Sequence, residues 1–246
     1  MTATRDGGDA RPVGFFDSGL GGLCILEAFK RECPRESTVY IADSSHCPYG
    51  NRPAEEILRL SRANTSRLLR RKCKMVVVAC NTATAAAIDA LRAEYPETPF
   101  IGLEPAVKPA ALKSRSGVVG VLATAGTFNG RLYRETSARF AKGVTVIAAV
   151  ADEFVALVER GETSGARAEA VVAAKVGPLV AAGADHIVLG CTHFPHLRSL
   201  VEKVAAGRAE VVDPSSAVAR QARRVLAQKG LANESAAGPR HVFIRL

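Results

Sequence analysis

Tryptophan is absent from this 246-residue chain, and aromatic residues make up only 5% of it. A platform for stacking nucleobases is therefore poorly supplied. No apolar run approaches the length of a membrane span, so no membrane partner is expected. Residues 1–11 are polar (Thr2, Arg5, Asp6, Asp9, Arg11) and lack the apolar core of a secretory signal. They read as a disordered lead-in. The six cysteines, Cys24, Cys33, Cys47, Cys73, Cys80 and Cys191, form no C-x-x-C pair. A chain of this size needs no disulfide framework, which leaves a cytosolic protein with free thiols. Taken singly, a cysteine is most often a buried, inert side chain, and Cys24, Cys33 and Cys73, in or beside helical patterns, receive that reading.

The apolar content of 48% and charged content of 23% are those of a soluble globular chain with ample length for a core. The 33 Lys and Arg outnumber the 24 Asp and Glu, for a net charge of +9. Such a balance favours encounters with anionic small molecules or nucleic acid. The basic residues are scattered over two helical patterns, Arg59, Arg62, Arg67, Arg70, Arg71 and Lys72 on one and Arg220, Arg223 and Arg224 on the other. With so few aromatics, a solvated helix face is favoured over a nucleic-acid surface.

The most informative stretch is Lys74-Met75-Val76-Val77-Val78-Ala79-Cys80-Asn81-Thr82-Ala83-Thr84. A β-branched run without polar alternation suits a strand buried on both faces of a parallel sheet. The Ala-rich segment from Ala83 to Leu91 is spaced like a helix, so Cys80 falls at a strand-to-helix turn. Ligands of open α/β sheets bind at the carboxyl ends of strands at such turns. The design recurs at His186-Ile187-Val188-Leu189-Gly190-Cys191-Thr192-His193.

The rest of the chain alternates strands and helices. Val13–Phe16 is a strand ending in Asp17-Ser18-Gly19-Leu20-Gly21-Gly22, where the glycines permit a tight turn and the following helix N-terminus suits an anion. Asp17 and Ser18 are equally explained there by turn chemistry or capping. Strands are read at 38–42, 100–102, 117–123, 144–150, 210–212 and 241–245. Helices are read at 53–71, 104–113, from the Thr124–Thr127 turn through Phe140, and at 152–160, 166–182, 194–206 and 215–229. The loop 43–53 is dense in breakers. Val13–Gly19 resembles Val119–Ala125 at an offset of 106 residues, and Cys80 and Cys191 are 111 apart. Near-equal offsets for two separate βα turns indicate an internal duplication. The expected fold is α/β: two similar three-layer halves with mostly parallel sheets, related by pseudo-two-fold symmetry, with the active site in the cleft between them. The halves are placed at 12–97 plus 208–246 and at 98–207.

Phe16-Asp17-Ser18-Gly19-Leu20-Gly21-Gly22, Pro48-Tyr49-Gly50, Ala79-Cys80-Asn81-Thr82-Ala83 and Gly190-Cys191-Thr192-His193-Phe194-Pro195 resemble the signature blocks of the glutamate racemase family, within the aspartate/glutamate racemases, in order and with similar spacing. Weaker matches extend the likeness over almost the whole chain. The resemblance implies a cofactor-independent racemase with no metal, supplying D-glutamate for peptidoglycan in a bacterial cytoplasm. Such chemistry takes the α-proton from one face and returns one to the other, so it needs two acid/base groups. A thiol serves as either, since its pKa of about 8.5 is readily lowered by donors and helix N-termini. Carried over from the family, Cys80 takes the proton from D-glutamate and Cys191 from L-glutamate. Asp17 and Ser18 contact the substrate ammonium, with Asp17 near Cys80. Tyr49, Gly50, Asn81 and Thr82 supply donors to a substrate carboxylate; Thr192 and His193 do so beside Cys191, with His193 a helper in proton transfer. Glu159 and Thr127 match further site residues. Family members are often dimers. The chain has Ala42-Asp43-Ser44 where Gly-Asp-Thr is common, Cys47 where an apolar residue stands, and ends after 241–245 where the resemblance implies a further helix.

Rival readings remain. A metal on Cys191 and His193 lacks a matching set of nearby ligands in the sequence. A Cys–His nucleophile leaves Cys80 unexplained. A racemase of the same superfamily acting on aspartate is closer, whereas a one-cysteine decarboxylase is opposed by the second thiol. From another class comes a non-catalytic basic protein binding an acidic partner, supported only by the charge.

Overall fold

The computed structural model describes residues 8–140 and 143–246. In chain order the described elements are β1 (Val13–Asp17), α1 (Leu23–Glu32), β2 (Thr38–Ala42), α2 (Ala54–Arg70), β3 (Met75–Val78), α3 (Asn81–Glu94) and β4 (Phe100–Ile101). There follow α4 (Val107–Lys113), β5 (Val118–Ala123), α5 (Ala125–Phe128), α6 (Arg131–Phe140), β6 (Thr145–Val150), α7 (Asp152–Glu159) and α8 (Ala166–Ala181). The last are β7 (His186–Leu189), α9 (Arg198–Ala205), β8 (Glu210–Val212), α10 (Ser215–Gln228) and β9 (His241–Arg245).

The chain forms two units. The first holds the described residues up to Cys47, Pro53–Leu103 and Ser215–Leu246; the second holds Pro48–Arg52 and Glu104–Pro214. These boundaries differ from 97/98 and 207/208 because strand pairing decides membership. Phe100 and Ile101 pair with Val76 and Val77, which draws β4 into the first unit. Glu210–Val212 pairs with His186–Val188, which keeps β8 in the second.

The first unit carries a five-stranded sheet in the order β4-β3-β1-β2-β9, parallel throughout. Every residue of β1, β2 and β3 is buried, as unalternated apolar runs require. Alternate side chains serve opposite faces. Val13, Phe15, Tyr40, Met75 and Val77 pack with Ile25, Leu26 and Phe29 of α1 and with Val218, Ala222 and Leu226 of α10. Phe15 meets Phe29 edge-on, with ring centroids 5.2 Å apart. On the other face Gly14 admits α2 closely: a Cβ there would stand 3.0 Å from both Leu68 Cδ1 and Cys73 Sγ. Of the lead-in read at 1–11, residues 1–7 lie outside the described residues, while residues 8–11 are tied down. Gly8 bridges Asn233, Asp9 N–H donates to Ala232 O at 3.2 Å, and Lys74 Nζ donates to Asp9 O at 2.5 Å.

The second unit carries a four-stranded parallel sheet in the order β6-β5-β7-β8. Val119, Val121 and Val188 pack with Val107 and Ala110 of α4, while Gly120 faces Leu179 of α8. The helix read as running to Phe140 is interrupted at Asn129-Gly130, giving α5 and α6. The helix read from Phe194 begins instead as a 3-10 turn, Phe194–Leu197, before α9.

With β1 matched to β5, β3 to β7, β2 to β6 and β4 to β8, the strand orders coincide. The register coincides too: Gly14 pairs with Val76 and Gly120 with Ile187. Ala79 N–H donates to Phe16 O at 2.8 Å, and Gly190 N–H to Leu122 O at 2.7 Å. Among the described residues neither sheet closes into a barrel, and no helix is long and apolar enough to cross a membrane.

Candidate active site

At the carboxyl end of the first sheet, β1 and β3 lie side by side and deliver Asp17-Ser18 and Cys80-Asn81-Thr82. Cys80 has extended backbone and serves as the N-cap of α3, its Sγ accepting the Ala83 N–H at 3.4 Å. A helix N-terminus and a pointed N–H both favour the thiolate over the thiol. Ser18 Oγ lies 3.9 Å from Cys80 Sγ, and the Ser18 hydroxyl in turn donates toward Asp17 Oδ1 at 3.4 Å. Asp17 is fully buried, and its Oδ2 accepts the Gly22 N–H at 2.7 Å, which fixes the turn leading into α1. Asn81 is 3% exposed, yet neither its amide oxygen nor its amide nitrogen has a hydrogen-bond partner among the described residues. Buried polar atoms in that state are rare in native chains and mark a place where a ligand or water makes the missing bonds.

Beyond β2, Asp43 organises the loop: its Oδ1 lies 2.7 Å from His46 Nδ1 and its Oδ2 accepts from Asn64 Nδ2 at 3.2 Å. Of the three cysteines read as inert, Cys33 and Cys73 differ from Cys80 in their surroundings. Burial, helped by nearby Glu36 and Glu32, pushes the Cys33 thiol up to about 12. Burial pushes Cys73 up to about 12 as well. Cys24 lies 3.4 Å from Ser215 Oγ.

At the carboxyl end of the second sheet, β7 delivers Cys191-Thr192-His193, all buried. Cys191 is not a helix cap in the manner of Cys80. The N–H three residues on, that of Phe194, turns back to the Cys191 carbonyl at 3.1 Å. Its sulfur instead lies 3.8 Å from His193 Nδ1, and His193 Nε2 lies 2.7 Å from Glu159 Oε1 at the end of α7. A carboxylate on the far nitrogen sets the imidazole's orientation. Packing of Phe154 against Phe194, centroids 5.0 Å apart, holds α7 beside this turn. The next strand end, that of β5, contributes Thr127, whose hydroxyl lies 3.0 Å from that of Thr124. Tyr49, fully buried, and Gly50 belong to this unit. Gly50 passes so close to Thr124 and Asp152 that an added Cβ would stand 3.2 Å from Thr124 Cβ and 3.4 Å from Asp152 Oδ1.

Asp17, Ser18, Cys80, Asn81 and Thr82 thus gather at one set of strand ends, and Thr127, Glu159, Cys191, Thr192 and His193 at the other. Sequence reasoning passed over Thr124 and Asp152. Thr124 stands at the duplicated position of Ser18, 106 residues on, so the repeat itself carried the signal. Asp152 had no comparable mark.

Comparison with known proteins identifies the family and the fold. The family model described as Asp/Glu/Hydantoin racemase matches residues 24–222. A glutamate racemase of Herpetosiphon aurantiacus is 46% identical over 223 residues, covering 91% of this chain and 87% of that protein. Among solved structures, a glutamate racemase isoform of Bacillus anthracis superposes with a TM-score of 0.85 at 30% identity, covering 95% of this chain and 88% of that one. The Francisella tularensis glutamate racemase, solved in complex with D-glutamate, gives 0.84 at 28% identity, covering 96% and 88%. With a family model spanning most of its length and a relative of this identity, the chain belongs to the Asp/Glu/hydantoin racemase family.

Proposed function

We propose that this chain interconverts L- and D-glutamate without a cofactor, by a 1,1-proton transfer between two thiols. The observation that carries the reading is the pair Cys80 and Cys191, at corresponding ends of two duplicated sheets, each with its own polar partners. With D-glutamate, the Cys80 thiolate takes the α-proton and the Cys191 thiol gives one to the opposite face; with L-glutamate the roles reverse. The Ala83 N–H favours the anion at Cys80, while His193, held by Glu159, passes or holds the proton at Cys191. Asp17 and Ser18 take the ammonium. Tyr49, Gly50, Asn81, Thr82, Thr127 and Thr192 supply donors to the carboxylates, and the unpartnered amide of Asn81 supports that role. Charge building up on the α-carbon is met by fixed donors and helix ends, which need no reorganisation.

The names of the relatives favour glutamate over aspartate as substrate. The proposal includes a cytoplasmic role in making D-glutamate for peptidoglycan and a homodimeric state, the latter read directly by sedimentation. The chemical test is Cys80→Ala and Cys191→Ala, each assayed by circular dichroism and by solvent-deuterium exchange on both enantiomers of glutamate and of aspartate. Each variant is expected to lose racemisation by about 10²–10⁴-fold or more while keeping its fold. Full activity in either variant overturns the two-base mechanism, and preference for aspartate overturns the substrate.

A further inference from the structure

One carboxylate at the strand ends of the second unit has no part in the chemistry above. Asp152 is half-buried and opens α7 directly after β6, the helix whose last residue is Glu159. Its Oδ1 accepts the N–H of Ala125, the first residue of α5, at 3.3 Å. A helix's first N–H groups have no partner within the helix. Thr124 Oγ1 takes another of them, from Thr127 at 3.4 Å, so side chains from two different βα turns serve the head of this short helix. Gly50 passes near the same two residues, since a Cβ added there would stand 3.2 Å from Thr124 Cβ and 3.4 Å from Asp152 Oδ1. Gly50, the 124–127 turn and the start of α7 therefore come together beside one carboxylate.

We propose that Asp152 is a positioning residue for the substrate. Acting through the Ala125 N–H and the seat of Gly50, it fixes the Thr127 turn and the Gly50 backbone relative to α7. Its Oδ1 is engaged by a backbone donor, so this role requires no contact with the substrate. An Asn at this position keeps the accepting oxygen; an Ala does not. The identity of the ligand rests on the racemase reading, but the geometry of the clamp does not.

The test compares Asp152→Ala and Asp152→Asn in the full chain by two readouts. In Asp152→Ala the amides of Ala125–Thr127 are expected to exchange hydrogen faster, with the melting temperature unmoved. KM for both glutamate enantiomers should rise about tenfold with kcat within about twofold, because placement of the turn acts on ground and transition states alike. Asp152→Asn should restore both readouts. Unchanged exchange in Asp152→Ala, an Asn variant that behaves like Ala, or a fall in melting temperature together with kcat each overturns the proposal. A wild type inactive on glutamate overturns the substrate reading alone, and the exchange comparison still decides the clamp.

Discussion

Cys33, Cys73 and Cys80 are all buried, yet their sulfurs meet different surroundings. Cys33 and Cys73 are raised to about 12 by burial, whereas the Cys80 sulfur receives an N–H from the head of α3. At pH 8 a thiol near 12 holds about one part in 10⁴ as thiolate. Brief alkylation with iodoacetamide followed by peptide mapping should therefore label Cys80 well before Cys33 or Cys73, and D-glutamate should slow it. Equal labelling of all three would contradict the assignment. The pair of strand-end thiols was legible in the sequence, because an unalternated apolar run and a change of period mark a strand end without any tertiary knowledge. What separates the two thiols was not. His193 lies against Glu159, 34 residues earlier, a pairing set by tertiary packing such as that of Phe154 on Phe194 and not by any local pattern.

At the scale of elements, the residues that open β3 and β7 occupy the same duplicated place and solve it with opposite charges. Lys74 is fully buried and pairs with Glu36 at 2.7 Å. Glu36 Oε1 also accepts the N–H of Asn233, so this ion pair fastens the segment leading to β9. Asp185 accepts from Ser114 Oγ and from the N–H groups of Arg115 and Ser116, and lies beside His186. Burial alone would raise its pKa, but the bonds from His186, Ser116, Ser114 and Arg115 together hold the carboxyl well below the usual carboxylate range. Lys74→Met leaves Glu36 buried and uncompensated, and should cost about 3–5 kcal/mol by urea denaturation. Pairing it with Glu36→Met should recover part of that loss; a single variant as stable as wild type would mean the pair holds nothing. Neither clasp was visible from sequence, since Lys74 and Glu36 read as ordinary charges beside a strand. The short strands β4 and β8 were found, but their allegiance was not, because two or three residues show no periodicity and pairing alone assigns them.

For the molecule as a whole, the duplication is the most legible feature and reaches further than the sequence likeness that announced it. Leu68 and Leu179 pack against Gly14 and Gly120, again 111 and 106 residues apart. The units are nonetheless not equivalent as pieces of chain. The second is almost continuous, whereas the first needs Ser215–Leu246 to complete it. Removing 215–246 strips Val218, Ala219, Ala222 and Leu226 from the core and β9 from the sheet. Burial of Val218 and Leu226 alone is worth about 1.5–3 kcal/mol each, against a total of about 5–15 kcal/mol for a domain. Limited proteolysis of a 1–214 fragment should therefore degrade 8–103 while sparing 104–214. Resistance of 8–103 in that fragment would show that α10 and β9 are dispensable.

The return of the chain to the first unit also bears on how the protein is made. A ribosome releases β1 to β4 early, but the face of α1 that α10 covers stays open until 215–228 emerge. The stretch 104–214 has nearly all its partners within itself and is complete sooner. The expected consequence is an order in which the second unit can complete its core before the first, leaving the amino-terminal strands apolar and unfinished, in a state open to chaperones.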